Sequence, residues 1–146
     1  MRVSDTKQMP LHSSTQEAGP LMLQAFAWDM APDASHWRYL AQHARAIADL
    51  GVTIIWLPPA YKGNFGLDDV GYGVYDLYDL GEFDQKGTIP TKYGTKDEYL
   101  AAIDALHEAG IAVCADIVLN HRMGADATET VRATPINPQN RHEAIG

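Results

Sequence analysis

The chain has 146 residues, 46% of them hydrophobic and 21% charged, which suits one folded domain and excludes intrinsic disorder. Its formal net charge of −8 leaves no basic surface to neutralise phosphates, so no nucleic-acid partner is expected. No segment approaches the roughly 18 consecutive apolar residues of a membrane-spanning helix, so no membrane partner is predicted either.

The N-terminal residues and the cysteine content indicate a cellular compartment. Residues 1–20 are polar and lack the apolar core of a secretory signal, which predicts a flexible N-terminal extension. A targeting segment rich in small residues is the alternative. Cys114 is the only cysteine, so no internal disulfide is possible, and a free thiol suits a reducing compartment. We therefore expect a cytoplasmic protein.

A strand and a helix are predicted first along the chain. Residues 21–26 form a short apolar run that is typical of a strand. Residues 37–48 repeat apolar side chains at helical spacing. Asp33 or Ser35 is placed to cap this helix, and Gly51 stands where a glycine commonly ends one.

A second strand, a long loop and a second helix follow. Residues 52–57 are almost continuously apolar and β-branched, which predicts a strand covered on both faces. The loop from residue 60 to about residue 94 is long enough to suggest a functional role. Thr95 and Glu98 form a capping box that begins the second helix, and Gly110 ends it. The loop carries an acidic stretch, most of which is predicted to be solvated surface: Asp68, Asp69, Asp76, Asp79, Glu82 and Asp84.

Residues 111–119 predict a third strand and complete a β-α-β-α-β order. Apolar strands joined by helical crossovers indicate parallel pairing with right-handed connections. Either a doubly wound sheet or a (β/α)₈ barrel accommodates this order. The glycine fingerprint of dinucleotide-binding sheets is absent after the first strand, which favours the barrel.

Unusual residues fall at the carboxyl ends of the predicted strands, where both architectures place their sites. Trp28 follows the first strand, Tyr72 lies in the loop after the second, and Asn120 and His121 end the third. Aromatic rings with an amide and an imidazole are typical of a sugar site. The other aromatic residues of interest are predicted to pack in the core or onto the barrel: Trp37, Trp56, Tyr75 and Tyr78.

Asp116 is the one charged residue within the third predicted strand. A carboxylate in an apolar strand is costly unless it is paired, so it requires either catalytic partners or a structural arginine. Cys114 lies two residues earlier on the same face and is predicted to pack there. No histidine or cysteine shows the spacing of zinc ligands, so a zinc site is not expected.

These segments bear a resemblance to a known family. Residues 116–121, Asp-Ile-Val-Leu-Asn-His, resemble the Asp-x-Val-x-Asn-His motif at the end of the third barrel strand of α-amylase-family glycoside hydrolases. Residues 56–63 and 70–83 are similar to signatures of the liquefying bacterial α-amylases and their cytoplasmic relatives. The likeness runs from about residue 21 to the C-terminus, and further segments fit the same subgroup: residues 85–88, 91–95 and 123–128.

The resemblance implies a fold and a reaction. Residues 21–121 would supply three strands and two helices of a TIM barrel, and residues 122–146 would begin the small domain inserted after the third strand. Members of the family hydrolyse α-1,4-glucosidic bonds of starch, glycogen or maltodextrin with retention. Their three catalytic carboxylates follow the fourth, fifth and seventh strands. We therefore expect this chain to be a fragment, inactive alone and dependent on the rest of the barrel for stable folding.

The resemblance also implies roles for individual residues. His121 would hydrogen-bond the sugar on the non-reducing side of the cleaved bond, and Tyr72 would stack on that sugar. Asn120 would be a calcium ligand, which makes calcium the expected cofactor. Asp116 would hold an arginine on the next strand. The floor and wall of the cleft would be lined by Gln24 and Trp28.

Other functions remain open at this point. A naturally short, non-catalytic protein could bind glucan or associate with a full-length enzyme. Within the family, transglycosylation or isomerisation would depend on residues beyond this chain. An unrelated α/β enzyme is a further alternative, which the missing phosphate-binding motif disfavours.

Overall fold

A computed structural model of the protein describes residues 19–145, so the extension predicted at residues 1–20 lies almost wholly outside the described residues. No helix in the described range is long and apolar enough to cross a membrane. The elements follow one another in this order: β1 (Met22–Gln24), α1 (His36–Asp49), β2 (Ile54–Leu57), β3 (Lys62–Gly63), a 3₁₀ turn (Gly66–Asp68), β4 (Val74–Asp76), α2 (Lys96–Glu108), β5 (Ala112–Ala115), β6 (Ile136–Asn137) and β7 (Asn140–Ala144).

The central sheet is parallel, with β2 between β1 and β5. Trp56 pairs with Gln24 on one side and with Cys114 on the other. The predicted β-α-β-α-β order and parallel pairing are confirmed. The strands are shorter than predicted, and β5 ends at Ala115, although the amide of Asp116 still donates to the carbonyl of Leu57 (3.2 Å).

The core lies between the sheet and the two helices. Ile55 and Leu57 of β2 are fully buried against apolar residues of α1 and α2: Trp37, Leu40, Ala44, Ala102 and Leu106. The other face of β2, formed by Ile54 and Trp56, is only half-buried. The prediction that both faces of this strand are covered is therefore wrong for the residues described.

Both helices begin and end near the predicted residues. At α2, the Thr95 side chain accepts from the Glu98 amide and the Glu98 carboxylate accepts from the Thr95 amide, which confirms the capping box. At α1, Ser35 is the N-cap but makes no capping bond; Asp33 instead accepts from the Ser35 amide and hydroxyl. Gly51 takes a φ of +87° directly after the end of α1, as a helix-ending glycine does.

The segment from residue 60 to residue 94 is more ordered than its sequence predicts. It contains the antiparallel β3–β4 pair and the 3₁₀ turn. Asp69 and Asp79 are 6% and 0% exposed, so these two are exceptions to the prediction that most of the acidic stretch is solvated. Further along, β6 and β7 form an antiparallel hairpin that the polar sequence did not predict. Whether that hairpin begins an inserted domain stays a prediction.

Candidate functional site

Four of the predicted site residues converge beyond the carboxyl ends of the parallel strands. The Trp28 and Tyr72 rings are stacked, with centroids 6.0 Å apart and planes 8° from parallel. Tyr72 in turn contacts Asp116 and His121, which both follow β5. Trp28 is 68% exposed, so a wide aromatic face remains open to solvent.

Tyr72 is fixed at its hydroxyl and at its carbonyl. The hydroxyl donates to Asp116 Oδ2 (2.6 Å), and the carbonyl accepts from His121 Nε2 (2.8 Å). Burial, together with the hydrogen bond to Asp116, raises the pKa of Tyr72 to about 12. Because a carbonyl only accepts, His121 carries its proton on Nε2, and Nδ1 is left to accept from the Asn120 amide (3.2 Å).

Asp116 and Cys114 differ from their predicted surroundings. Asp116 lies just beyond β5 rather than inside a strand, and its partner in residues 19–145 is the Tyr72 hydroxyl. The arginine that the family resemblance assigns to it stays a prediction. Cys114 is exposed, so the prediction that it packs is wrong for the chain described. A buried residue that the prediction missed, Tyr61, accepts from the Val118 amide and supports the segment after β5.

Gln24 and Asn120 are both exposed, and of the two only Asn120 contacts this cluster, through His121. The Gln24 amide donates to the Phe26 carbonyl (3.1 Å) at the end of β1. Asn120 offers one side-chain oxygen, whereas calcium takes about six to eight oxygen ligands. No group of three or more histidine, cysteine or acidic side chains is placed to hold a metal ion within the described range. The assignment of Asn120 as a calcium ligand stays a prediction.

Tyr75 and Tyr78 do not both pack as predicted. Tyr78 is 83% exposed, so the packing prediction is wrong for it. Tyr75 packs against the segment after β5: its hydroxyl donates to Asp126 (2.8 Å), and this bond raises the pKa of Tyr75. Arg122 donates to the Tyr75 carbonyl, and Lys86 lies 3.9 Å from the ring centroid. Tyr75, Arg122 and Asp126 line an open cavity of about 630 Å³.

Two buried aspartates and a buried lysine hold the loop that carries Tyr72. Asp69 accepts from the Gly71 amide and Asp79 accepts from the Gly81 amide, each at 2.8 Å. Neither role was predicted from the sequence, although the Asp-x-Gly spacing is a signal of this type of turn. Lys62, fully buried, donates to three loop carbonyls and lies 3.4 Å from Asp79 Oδ2; the carbonyls belong to Phe83, Thr88 and Ile89.

The assembled surface is suited to a polyhydroxylated ligand. An exposed aromatic face can pack against the apolar face of a pyranose, and the imidazole and amide beside it can bond its hydroxyls. The Asp116 carboxylate already holds the Tyr72 hydroxyl, so within this cluster it orients a ring.

The chain is similar in sequence and fold to known proteins. The chain is 54% identical to an alpha-amylase of Geobacillus stearothermophilus over 85% of its own length, and 52% identical to the cytoplasmic alpha-amylase of Escherichia coli over 84%. The matched region spans only 22% of the length of the first relative and 25% of the length of the second. Among solved structures, alternansucrase in complex with isomaltotriose has a TM-score of 0.70 and 30% identity over 87% of this chain and 12% of that one.

These likenesses establish the fold. The parallel β1-β2-β5 sheet and its two helices correspond to three β-strands and two helices of a TIM-barrel glycosidase, as predicted. Residues 26–140 match the family described as alpha amylase, catalytic domain. The chain therefore belongs to the α-amylase family of glycoside hydrolases.

Proposed function

We propose that this chain forms one wall of an α-glucan cleft in an α-amylase that hydrolyses α-1,4-glucosidic bonds of starch, glycogen or maltodextrin with retention. The observation that carries the proposal is the cluster of Trp28, Tyr72 and His121 beyond the carboxyl ends of three parallel strands. Catalytic sites of TIM barrels form on this face. The relatives named alpha-amylase support the reaction class.

The proposed roles divide between apolar and polar contacts. Trp28 and Tyr72 offer the aromatic surface on which a glucose ring packs, and Gln24 lines the cleft beside them. His121 bonds a sugar hydroxyl through Nδ1. That bond takes the place of the Asn120–Nδ1 contact (3.2 Å), which is longer than the bond from Nε2 to the Tyr72 carbonyl (2.8 Å). Asp116 orients Tyr72 through its hydroxyl.

Retaining hydrolysis needs a nucleophile and an acid/base carboxyl about 5–5.5 Å apart. The family resemblance assigns these groups to strands beyond the three described, so this chain contributes binding and orientation and is inactive alone. A calcium ion would also need ligands in addition to Asn120. A cytoplasmic location belongs to the same proposal, supported by the likeness to the cytoplasmic alpha-amylase.

Incubation of the protein with maltoheptaose tests the proposal. Release of reducing ends, with the new anomeric centre in the α configuration by proton NMR, is the expected result for the complete enzyme. Release of the β-anomer, or no release and no binding, would contradict it.

A non-catalytic glucan-binding protein is the second candidate, because the binding cluster lies within this chain while the catalytic pair is assigned elsewhere. The intact mass of the native protein separates the two. A mass several times 16.0 kDa is expected for the hydrolase, whereas saturable glucan binding by a 16.0 kDa species without hydrolysis would favour the second candidate.

A further inference from the structure

We propose that Asp69 is a positioning residue for Tyr72, and that it sets the aromatic surface of the cleft without touching the sugar. This inference rests on the proposed function and adds a residue that the sequence assigned to solvated surface. Asp69 is only 6% exposed and lies three residues before Tyr72.

The Asp69 carboxylate is bonded to the backbone on both sides of Tyr72. Its Oδ1 accepts from the Gly71 amide (2.8 Å) and from the Gly73 amide (3.1 Å). Its Oδ2 accepts from the Phe65 amide (3.3 Å). One oxygen therefore fixes the Val70–Gly71 and Tyr72–Gly73 peptide groups, the second of which contains the Tyr72 carbonyl. Hydrogen bonds to a carboxylate are stronger than those between neutral groups.

The backbone packs closely around this carboxylate at two glycines, Gly63 and Gly73. A Cβ atom on Gly63 or on Gly73 would overlap the Asp69 carboxyl. No basic side chain forms an ion pair with Asp69 anywhere in residues 19–145, so the three amides are what offsets burial of the carboxylate there. A buried carboxylate without such compensation would be strongly unfavourable.

Three contacts of Tyr72 depend on the backbone that Asp69 holds. They are the ring stack with Trp28, the hydroxyl bond to Asp116 and the carbonyl bond to His121. Loss of the bonds at Gly71 and Gly73 would free the backbone on both sides of Tyr72, so all three contacts would loosen together. A displacement of about 1 Å at such a residue is enough to weaken productive binding greatly.

The test compares Asp69→Ala and Asp69→Asn with Asp68→Ala, a matched control because Asp68 is the exposed neighbour on the 3₁₀ turn. Two quantities are measured in the full protein: the Kd for maltoheptaose, and the near-UV circular dichroism of Trp28, obtained by subtracting the spectrum of the corresponding Trp28→Phe protein. The dichroism signal of Trp28 reports its stack with Tyr72 directly. Substitution of a residue that only stabilises the fold would leave this signal unchanged.

We expect Asp69→Ala to raise the Kd about tenfold and to reduce the Trp28 signal. Asn keeps one acceptor oxygen but turns an NH₂ group toward the Phe65 amide, so Asp69→Asn should raise the Kd about threefold. Asp68→Ala should match the wild type. If Asp69→Ala does not fold, Asp69→Asn decides, and wild-type Kd and wild-type dichroism in that variant would overturn the proposal.

The two proposals fail in different ways. Absence of glucan binding by the wild-type protein would overturn the proposed function, while the dichroism comparison would still decide the role of Asp69. Weaker binding in Asp69→Ala with an unchanged Trp28 signal would overturn the positioning role alone.

Discussion

The hydroxyl of Tyr72 donates a 2.6 Å hydrogen bond to the carboxylate of Asp116, which joins the long loop after β2 to the end of β5. Tyr72 lies 44 residues before Asp116, so the bond is a long-range contact and not a product of local chain geometry. The bond therefore gives the site a fixed relation between two separate barrel segments. It also makes the phenol ring a rigid part of the cleft wall.

This bond predicts a stability change at high pH. The folded-state pKa of Tyr72 is raised to about 12, whereas an unfolded tyrosine titrates at about 10. Between these values the unfolded chain has lost the proton that the folded chain keeps, so stability falls as pH rises from 10 to 12. Urea unfolding at pH 9 and pH 11.5 should show a smaller fall in Tyr72→Phe than in the wild type. Equal falls would contradict the assignment.

The comparison with Tyr72→Phe is needed because other tyrosines contribute with the same sign. Burial also raises the pKa of three of them, Tyr61, Tyr93 and Tyr99.

At neutral pH Tyr72→Phe should lose about 1 kcal/mol of unfolding free energy, the typical value of one hydrogen bond.

Lys62 and Asp79 form the buried ion pair of the loop, and both side chains are fully buried. Lys62→Met would leave the Asp79 carboxylate without its cation and leave three carbonyls without a donor. We expect a loss of about 3–5 kcal/mol in unfolding free energy, measured by urea denaturation. The matched control is Lys96→Met, since Lys96 pairs with Glu82 at the surface and should cost less than about 1 kcal/mol. Similar losses of unfolding free energy in the two variants would show that the buried pair stabilises the fold no more than the surface pair does.

His36 predicts a loss of stability in mild acid. Its ring is buried and Nε2 donates to the Ala25 carbonyl (2.6 Å). Burial lowers the pKa of His36, although the bond to Ala25 acts in the opposite direction. Because the unfolded histidine binds a proton more readily, stability should fall as pH drops below about 6.5 through the lowered folded-state pKa.

Urea midpoints at pH 7.5 and pH 5.5 measure this dependence. His36→Gln should show a smaller shift of the midpoint than the wild type, and His107→Gln, at an exposed position on α2, should behave as the wild type. A full wild-type shift in His36→Gln would assign the effect to another group.

Asn120 provides the test of the calcium prediction. If Asn120 is one ligand of a calcium ion completed by residues elsewhere, Asn120→Ala should raise the calcium concentration needed to reach the maximal thermal midpoint. A calcium titration of the melting temperature measures this, with EDTA-treated protein as the starting state. An unchanged requirement would remove Asn120 from the ligand set.

The helices and the order of the strands could be predicted because each depends on local signals. Thr95 and Glu98 lie three residues apart, and that spacing alone specifies a capping box. Gly51 and Gly110 mark helix ends because they adopt positive φ, which glycine tolerates. Parallel pairing followed from the helical connections between apolar strands.

The contacts that define the site could not be predicted in the same way. The partner of Asp116 is a hydroxyl 44 residues away, and no periodic pattern records such a distance. The burial of Asp69 and Asp79 was missed because an acidic, glycine-rich stretch usually indicates solvated loop. Their carboxylates are buried because backbone amides of the same loop surround them, as the Asp-x-Gly spacing could have indicated.

We propose that Trp28, Tyr72 and His121 form a glucan-binding surface, and a fluorescence titration of the protein with maltoheptaose measures that binding. We expect saturable quenching or enhancement of Trp28 emission, identified by its absence in Trp28→Phe, with binding lost in Tyr72→Ala and His121→Ala. Tyr39→Phe, on the exposed part of α1, should bind as the wild type. Failure of the wild type to bind, or full binding by both alanine variants, would contradict the account.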